Sequence, residues 1–241
     1  MGRPSALLAL RFVAWAAVVV AWFIVAPHLS YPGHTWTVAL IAILVLPGTM
    51  LLALLALPVW SLGARLWAAV VVLALLALLF TVVGWGLLAN FAKLFGALFA
   101  GWAFLTLFEA LSWVVIVALV IPFVDIISVW RGPTHAITQK HFHVYLDVAI
   151  AFLVPGGGAA YLGPPDVLFY ALFLAAAARW HLRVVWTWVA MTAMYGITVV
   201  VANAADVGGL PALPFHSFGF FAANADLLWR RLRPRPAEAT P

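Results

Sequence analysis

The chain has 241 residues, of which 67% are hydrophobic and 8% charged, with a net charge of +5 and no cysteine. A soluble domain carries about 25% charged residues, so this composition excludes a water-soluble fold and points to an all-α, polytopic membrane protein. Lack of cysteine excludes disulfides, thiolate metal sites and cysteine nucleophiles. The basic residues stand at the ends of apolar runs, where they act as topology signals and not as a nucleic-acid footprint.

A spanning helix needs about 20 apolar residues. The first run covers roughly 5–26 and is interrupted only by Arg11. It is too long for a signal h-region and lacks an A-x-A-like cleavage site. His28 to His34, with Pro27 and Pro32-Gly33, reads as a turn. The second run, roughly 35–60, holds Pro47-Gly48 as a kink. Ser61 to Arg65 connects to a third run, roughly 66–90, and Asn90 to Lys93 reads as the next break. From Leu94 to Trp130 the chain is apolar for nearly twice one span, and Glu109 to Ser112 divides it.

Arg131 to His143 is the longest polar stretch. Asp147 to Gly158 is apolar but too short to span, and reads as a strand or a re-entrant piece. Three further runs lie at about 160–178, 184–203 and 212–229. The expected architecture is a bundle of eight, possibly nine, transmembrane helices. Residues 1–110 form the N-terminal helices, 111–229 a core with a loop at 131–158, and 230–241 a disordered basic tail.

An even helix count puts both termini on one side. Arg3, Arg65, Arg179, Arg183, Arg230, Arg231, Arg233 and Arg235 fall on that side, and only Lys93, Arg131 and Lys140 on the other. This bias predicts a multi-pass protein of a plasma membrane with both termini cytoplasmic.

With seven acidic residues in all, each can be weighed singly. An ionisable side chain inside a membrane is a functional-site candidate by default. Asp125 lies near the end of its run, about 7–8 Å below Trp130 at the helical rise. Asp166 lies a similar distance into the next long run, which returns antiparallel. The two carboxyls therefore reach similar depth, and a bundle can bring them together. Two carboxyls at hydrogen-bond distance in a low dielectric share a proton. One can then activate water while the other protonates a peptide carbonyl. Pro164 and Pro165 suit the first turn of a helix. Pro211-Ala212-Leu213-Pro214 should hold off the last helix until Pro214. Open backbone there could pair with an unwound substrate segment. His216 follows this element and is expected to pack near it. Glu109 belongs to a turn, Asp226 with Arg230 to a helix-end pair, and Asn203 and Asn224 to interhelical contacts. His135, His141 and His143 match no known metal spacing.

Asp125, the Gly163-x-x-Asp166 element with Phe169-Tyr170 after it, and Pro211-Ala212-Leu213 resemble the three signatures of the presenilin and signal peptide peptidase family. Those signatures are Tyr-Asp, Gly-x-Gly-Asp and Pro-Ala-Leu, in that order. The stretch from Ser128 to Gly132-Pro133 is also similar to presenilins. The resemblance, over roughly residues 110–229, is to a divergent, prokaryotic-like member. It implies that Asp125 and Asp166 are the catalytic pair of an intramembrane aspartyl protease that needs no cofactor. Gly163, Pro165, Pro211, Ala212 and Leu213 would shape the site, and transmembrane or signal-peptide-like helices would be the substrates. Val124 stands where the family has Tyr, and Pro165 where it has the second Gly; proline removes flexibility and a donor. Three rivals remain. A prepilin-peptidase-like enzyme would lack the Pro-Ala-Leu element. A proton- or cation-coupled transporter would show paired broken helices in two halves. An inactive relative would bind helices without cutting them.

Overall fold

The structure is a computed structural model that describes residues 6–131, 142–207 and 210–233. Helices dominate it. They are α1 (Ala6–Val25), α2 (His34–Leu40), α3 (Leu46–Ala56), α4 (Leu66–Val83), α5 (Gly86–Phe104), α6 (Leu111–Arg131), α7 (Phe142–Val148), α8 (Pro164–Arg179), α9 (Val184–Ala204) and α10 (Leu213–Leu232). The exception to an all-helical chain is an antiparallel hairpin, β1 (Ile150–Leu153) and β2 (Ala159–Leu162), which pairs Ile150 with Leu162 and Leu153 with Ala159. The strand alternative for the 147–158 segment is the one adopted.

Among the described residues, five segments are long and apolar enough to cross a membrane: Ala6–His28, His34–Val83, Gly86–Leu107, Leu111–Arg131 and Val184–Ala204. The second contains α2, α3 and α4, with a turn at Gly63 (φ 60°) between α3 and α4. α8 falls short on length and α10 on polarity, since α10 carries His216, Ser217, Asn224, Asp226, Arg230 and Arg231.

The kink expected at Pro47 is widened into a π-helical stretch, Ile41–Val45, that runs from α2 into α3 without a break. Proline lacks an N–H and crowds the carbonyl four residues back, and a π turn relieves both. The indoles of Trp15 and Trp188 donate to the carbonyls of Gly48 and Met50, at 2.7 and 3.0 Å, and tie this helix to α1 and α9.

One boundary differs from expectation. The break after α4 lies at Gly84, which is left-handed (φ 80°), and not at Asn90 to Lys93. Both polar residues sit inside α5 because the hairpin satisfies Asn90 and α7 satisfies Lys93. The Asn90 amide donates to the Ala151 carbonyl at 2.9 Å and accepts from the Ala151 N–H at 2.7 Å. Lys93 Nζ donates to the Asp147 carbonyl at 3.2 Å. The expected division of the long apolar stretch does hold: α5 and a short 3-10 turn end at Leu107, and Glu109 is exposed before α6 begins. At the other end of the chain α10 runs to Leu232, so Arg230 and Arg231 are helical and not part of a tail. His135, Lys140, His141, Gly208, Gly209, Arg235 and the tail beyond Arg233 lie outside the described residues.

α8 is the axis of the molecule. Tyr170 through Ala177 are fully buried on every face of the helix. A helix of 16 residues is about 24 Å long, short of the ~30 Å hydrocarbon core. Gly101 on α5 lets this axis approach closely, since a Cβ there would sit 2.2 Å from the Leu168 carbonyl oxygen.

Candidate functional site

Asp166 occupies the first turn of α8, and its position follows from local chemistry. Pro164 and Pro165 fill the first helical positions, where a missing N–H has no partner to lose. The Asp166 carboxylate accepts from the Gly163 N–H at 3.1 Å, and the Asp166 N–H donates to the Gly163 carbonyl at 3.0 Å. Gly163 is not there for backbone freedom, since its φ is −68°. It is there for room: a Cβ would stand 3.3 Å from Asp166 Oδ2. Pro165, in the place of the family's second glycine, is exposed in an ordinary helical first turn.

Asp125 lies on α6, three residues beyond Pro122 within the same helix. Its neighbours Phe123, Val124 and Ile127 are exposed apolar side chains, while Asp125 itself is partly buried. Its carboxylate accepts a hydrogen bond from the Leu213 N–H at 3.0 Å. That N–H is one of the orphan donors of the first turn of α10, so an anion is favoured in front of it. Asp125 and Asp166 are near enough to act on each other electrostatically. The structure thus brings the three sequence elements to one place.

The Pro211-to-Pro214 stretch behaves differently from expectation. α10 begins at Leu213, one residue before Pro214. Pro211, Ala212 and Leu213 are all buried. Of its backbone donors, the Leu213 N–H is taken by Asp125. The open backbone lies elsewhere. β1 is closed on its outer edge by Asn90 at Ala151 and by the Trp22 indole at the Leu153 carbonyl (3.0 Å). β2 pairs only with β1 among the described residues, and its outer edge, with Tyr161 exposed, runs straight into Gly163 and Asp166.

Several aromatic residues surround the pair, of which the motifs mark only Tyr170. Tyr145 on α7 lies outside the membrane-crossing segments. Burial, then the nearby Asp166 and Tyr161, push its phenol up to about 12, so it stays neutral beside the carboxyl. Tyr170, one turn into α8 from Asp166, shares a 2.7 Å hydrogen bond with Thr192 of α9. Tyr195 of α9 stacks on Tyr170 with ring centroids 5.6 Å apart. It feels the charge of both aspartates. The His216 ring stands edge-on to Tyr195, with centroids 3.8 Å apart. A polar residue on a helix that otherwise reads as apolar was the available signal for Thr192, Tyr195 and His216. Only His216 stood next to a motif.

Chemically, the arrangement offers two carboxyls from separate helices, one held at a helix start and one facing another helix start, in a mostly apolar setting. Comparisons with models of protein families, with curated proteins and with solved structures return no match, so these residues and their geometry are the grounds on which a function must be argued.

Proposed function

We propose that the protein is an intramembrane aspartyl endopeptidase, similar in its site to presenilins and signal peptide peptidases. It would have eight passes with both termini in the cytoplasm, and would cleave transmembrane or signal-peptide-like helices. The observation that carries this reading is the bond from Leu213 N–H to Asp125, together with the charge coupling of Asp125 to Asp166. These join three motifs that are distant in the chain. A structural carboxyl needs one hydrogen-bonding partner. Two carboxyls set against each other are a cost, and shared-proton catalysis gives that cost a purpose.

In this reading one carboxylate takes a proton from water as the oxygen attacks the scissile carbonyl carbon. The other carboxyl gives its proton to the carbonyl oxygen. Collapse of the tetrahedral intermediate then returns a proton to the leaving amine. The outer edge of β2 supports the same reading. A substrate helix must unwind before its backbone is accessible, and an unpaired strand edge beside Asp166 would hold it extended. Pro165 does not argue for an inactive relative, because it sits where its missing N–H costs nothing. Substrates would approach through the bilayer; no cofactor enters the chemistry.

The test is cleavage of a panel of single-span substrates by purified protein in detergent, with Asp125→Asn and Asp166→Asn alongside. Wild-type cleavage with both variants silent establishes the pair. Equal cleavage by all three marks a contaminant. No cleavage by any intact protein moves proton- or cation-coupled transport ahead of proteolysis.

A further inference from the structure

Tyr195 and His216 are completely buried, and among the described residues the Tyr195 hydroxyl and both ring nitrogens of His216 have no hydrogen-bond partner. The next residue, Ser217, is buried with its hydroxyl likewise unpaired among them. Burying such groups without partners is costly, so a cluster of them calls for a reason. Their place supplies one. His216 is three residues along α10 from Leu213, whose N–H holds Asp125. Tyr195 packs on Tyr170, one turn into α8 from Asp166, and is coupled to both carboxyls. The unpaired atoms therefore lie about one helical turn deeper in the bundle than the aspartates. The Tyr170–Thr192 hydrogen bond continues the polar surface on the same layer.

Water is the ligand such a layer takes. An ordered buried water makes about three hydrogen bonds to groups that otherwise go unsatisfied. A hydroxyl that can donate or accept, beside an imidazole with one donor and one acceptor nitrogen, meets that need. Tyr145 of α7 also lies within electrostatic reach of Asp166.

We infer that Tyr195 and His216 form a water-binding site behind Asp125 and Asp166, and that both are positioning residues which act on the aspartate pair through that water. Hydrolysis consumes one water per cut, and a membrane-embedded site is remote from bulk solvent. A held water on the inner side of the pair orients the carboxyl that must start as the base. The catalytic consequence rests on the protease reading above; the water site does not.

The two parts are separable by experiment. Nitrogen-labelled histidine NMR on the full protein in detergent reads whether the His216 ring is hydrogen-bonded and whether its N–H exchanges with solvent. The expected result is a hydrogen-bonded ring whose signal changes in Asp166→Asn and in Tyr195→Phe. A dry ring, or one indifferent to both changes, overturns the inference. In the cleavage assay His216→Phe is expected to lower kcat at least tenfold with KM within about twofold. His216→Asn, which can still bind water, should recover a substantial part. If the role is only packing, an apolar ring of similar shape in place of unpaired polar atoms is neutral or stabilising, and kcat stays at the wild-type value; that result also overturns it. Should His216→Phe not fold, Tyr195→Phe, which removes a single oxygen, carries the same kcat test. A wild type that cuts nothing but shows the NMR coupling sinks the protease and leaves the water site standing.

Discussion

Where the start of α9 meets the end of α10, Arg183, Thr187, Asn224 and Asp226 all have polar partners. Asn224 is buried, yet its amide donates to Thr187 Oγ1 at 2.7 Å and to the Phe220 carbonyl at 2.9 Å, and accepts from the Arg183 N–H at 3.0 Å. Around it Arg183 forks onto Asp226, Arg230 returns to the same carboxylate, and Arg231 reaches the Trp180 carbonyl. Some eight residues back along α10, about 12 Å at the helical rise, Tyr195, His216 and Ser217 are buried with side-chain polar atoms that have no partner among the described residues. The same two helices build both regions. One end is arranged to fasten them; the other tolerates unsatisfied groups beside two carboxyls. Such local inconsistency is where function is expected in an otherwise consistent chain.

The sharpest way to break this contrast is at the carboxyls. Asp125→Asn and Asp166→Asn should each reduce cleavage by about a thousandfold or more, because acid and base act as a unit. Thermal unfolding in detergent should show stability unchanged or raised. A large loss of stability would instead make the aspartates fasteners, like Asn224. Next is Gly101→Ala. The added methyl meets the Leu168 carbonyl at 2.2 Å and the Ala171 Cβ at 2.8 Å. Overpacking of this kind costs about 1–3 kcal/mol, read as a lowered unfolding midpoint, and by shifting α8 it should also lower activity. Asn224→Leu comes third. It strands Thr187 and the Arg183 N–H and should cost about 1–2 kcal/mol, with kcat unchanged, the opposite profile to His216→Phe. Arg183→Gln should have a smaller effect that high salt erases, since the ion pair with Asp226 is exposed.

The smallest effect at working pH concerns Tyr145. Its folded value is raised from 10.0 to about 12, so the folded state holds the proton more tightly than the unfolded one. Its contribution to stability is complete below about pH 10 and is lost as pH rises from there to about 12. An absorbance titration should show a tyrosine ionising near pH 12 that Tyr145→Phe removes.

Much of this was legible from sequence where the cause is local. α1, α6, α9 and α10 follow apolar runs, and Pro164-Pro165 starts α8 as proline should. The three motifs were legible too, because each is a short break or charge in an apolar context. What escaped depends on partners far along the chain. Asn90 and Lys93 look like a loop until the hairpin edge and α7, 61 and 54 residues away, satisfy them. The turn at Gly84 escapes notice because Gly84 and Gly86 among apolar residues are a weak signal beside two polar ones. The burial of Pro211-Ala212-Leu213 comes from α6 bringing Asp125 onto the Leu213 N–H. Tyr195 carries no motif at all; its importance arises only when α8, α9 and α10 close around it.

Pro122 gives the two aspartates unequal mountings. Lacking an N–H, it leaves the Ala118 carbonyl without its helical donor. Below it Val114 and Ala118 are buried; above it Phe123, Val124, Ile127 and Trp130 face outward. The upper stretch of α6 is therefore mounted above a weakened turn, with the Asp125 carboxylate steadied by the Leu213 N–H. Asp166, by contrast, opens a helix that is buried on every face from Tyr170 to Ala177. Of the two carboxyls, Asp125 has the more yielding support.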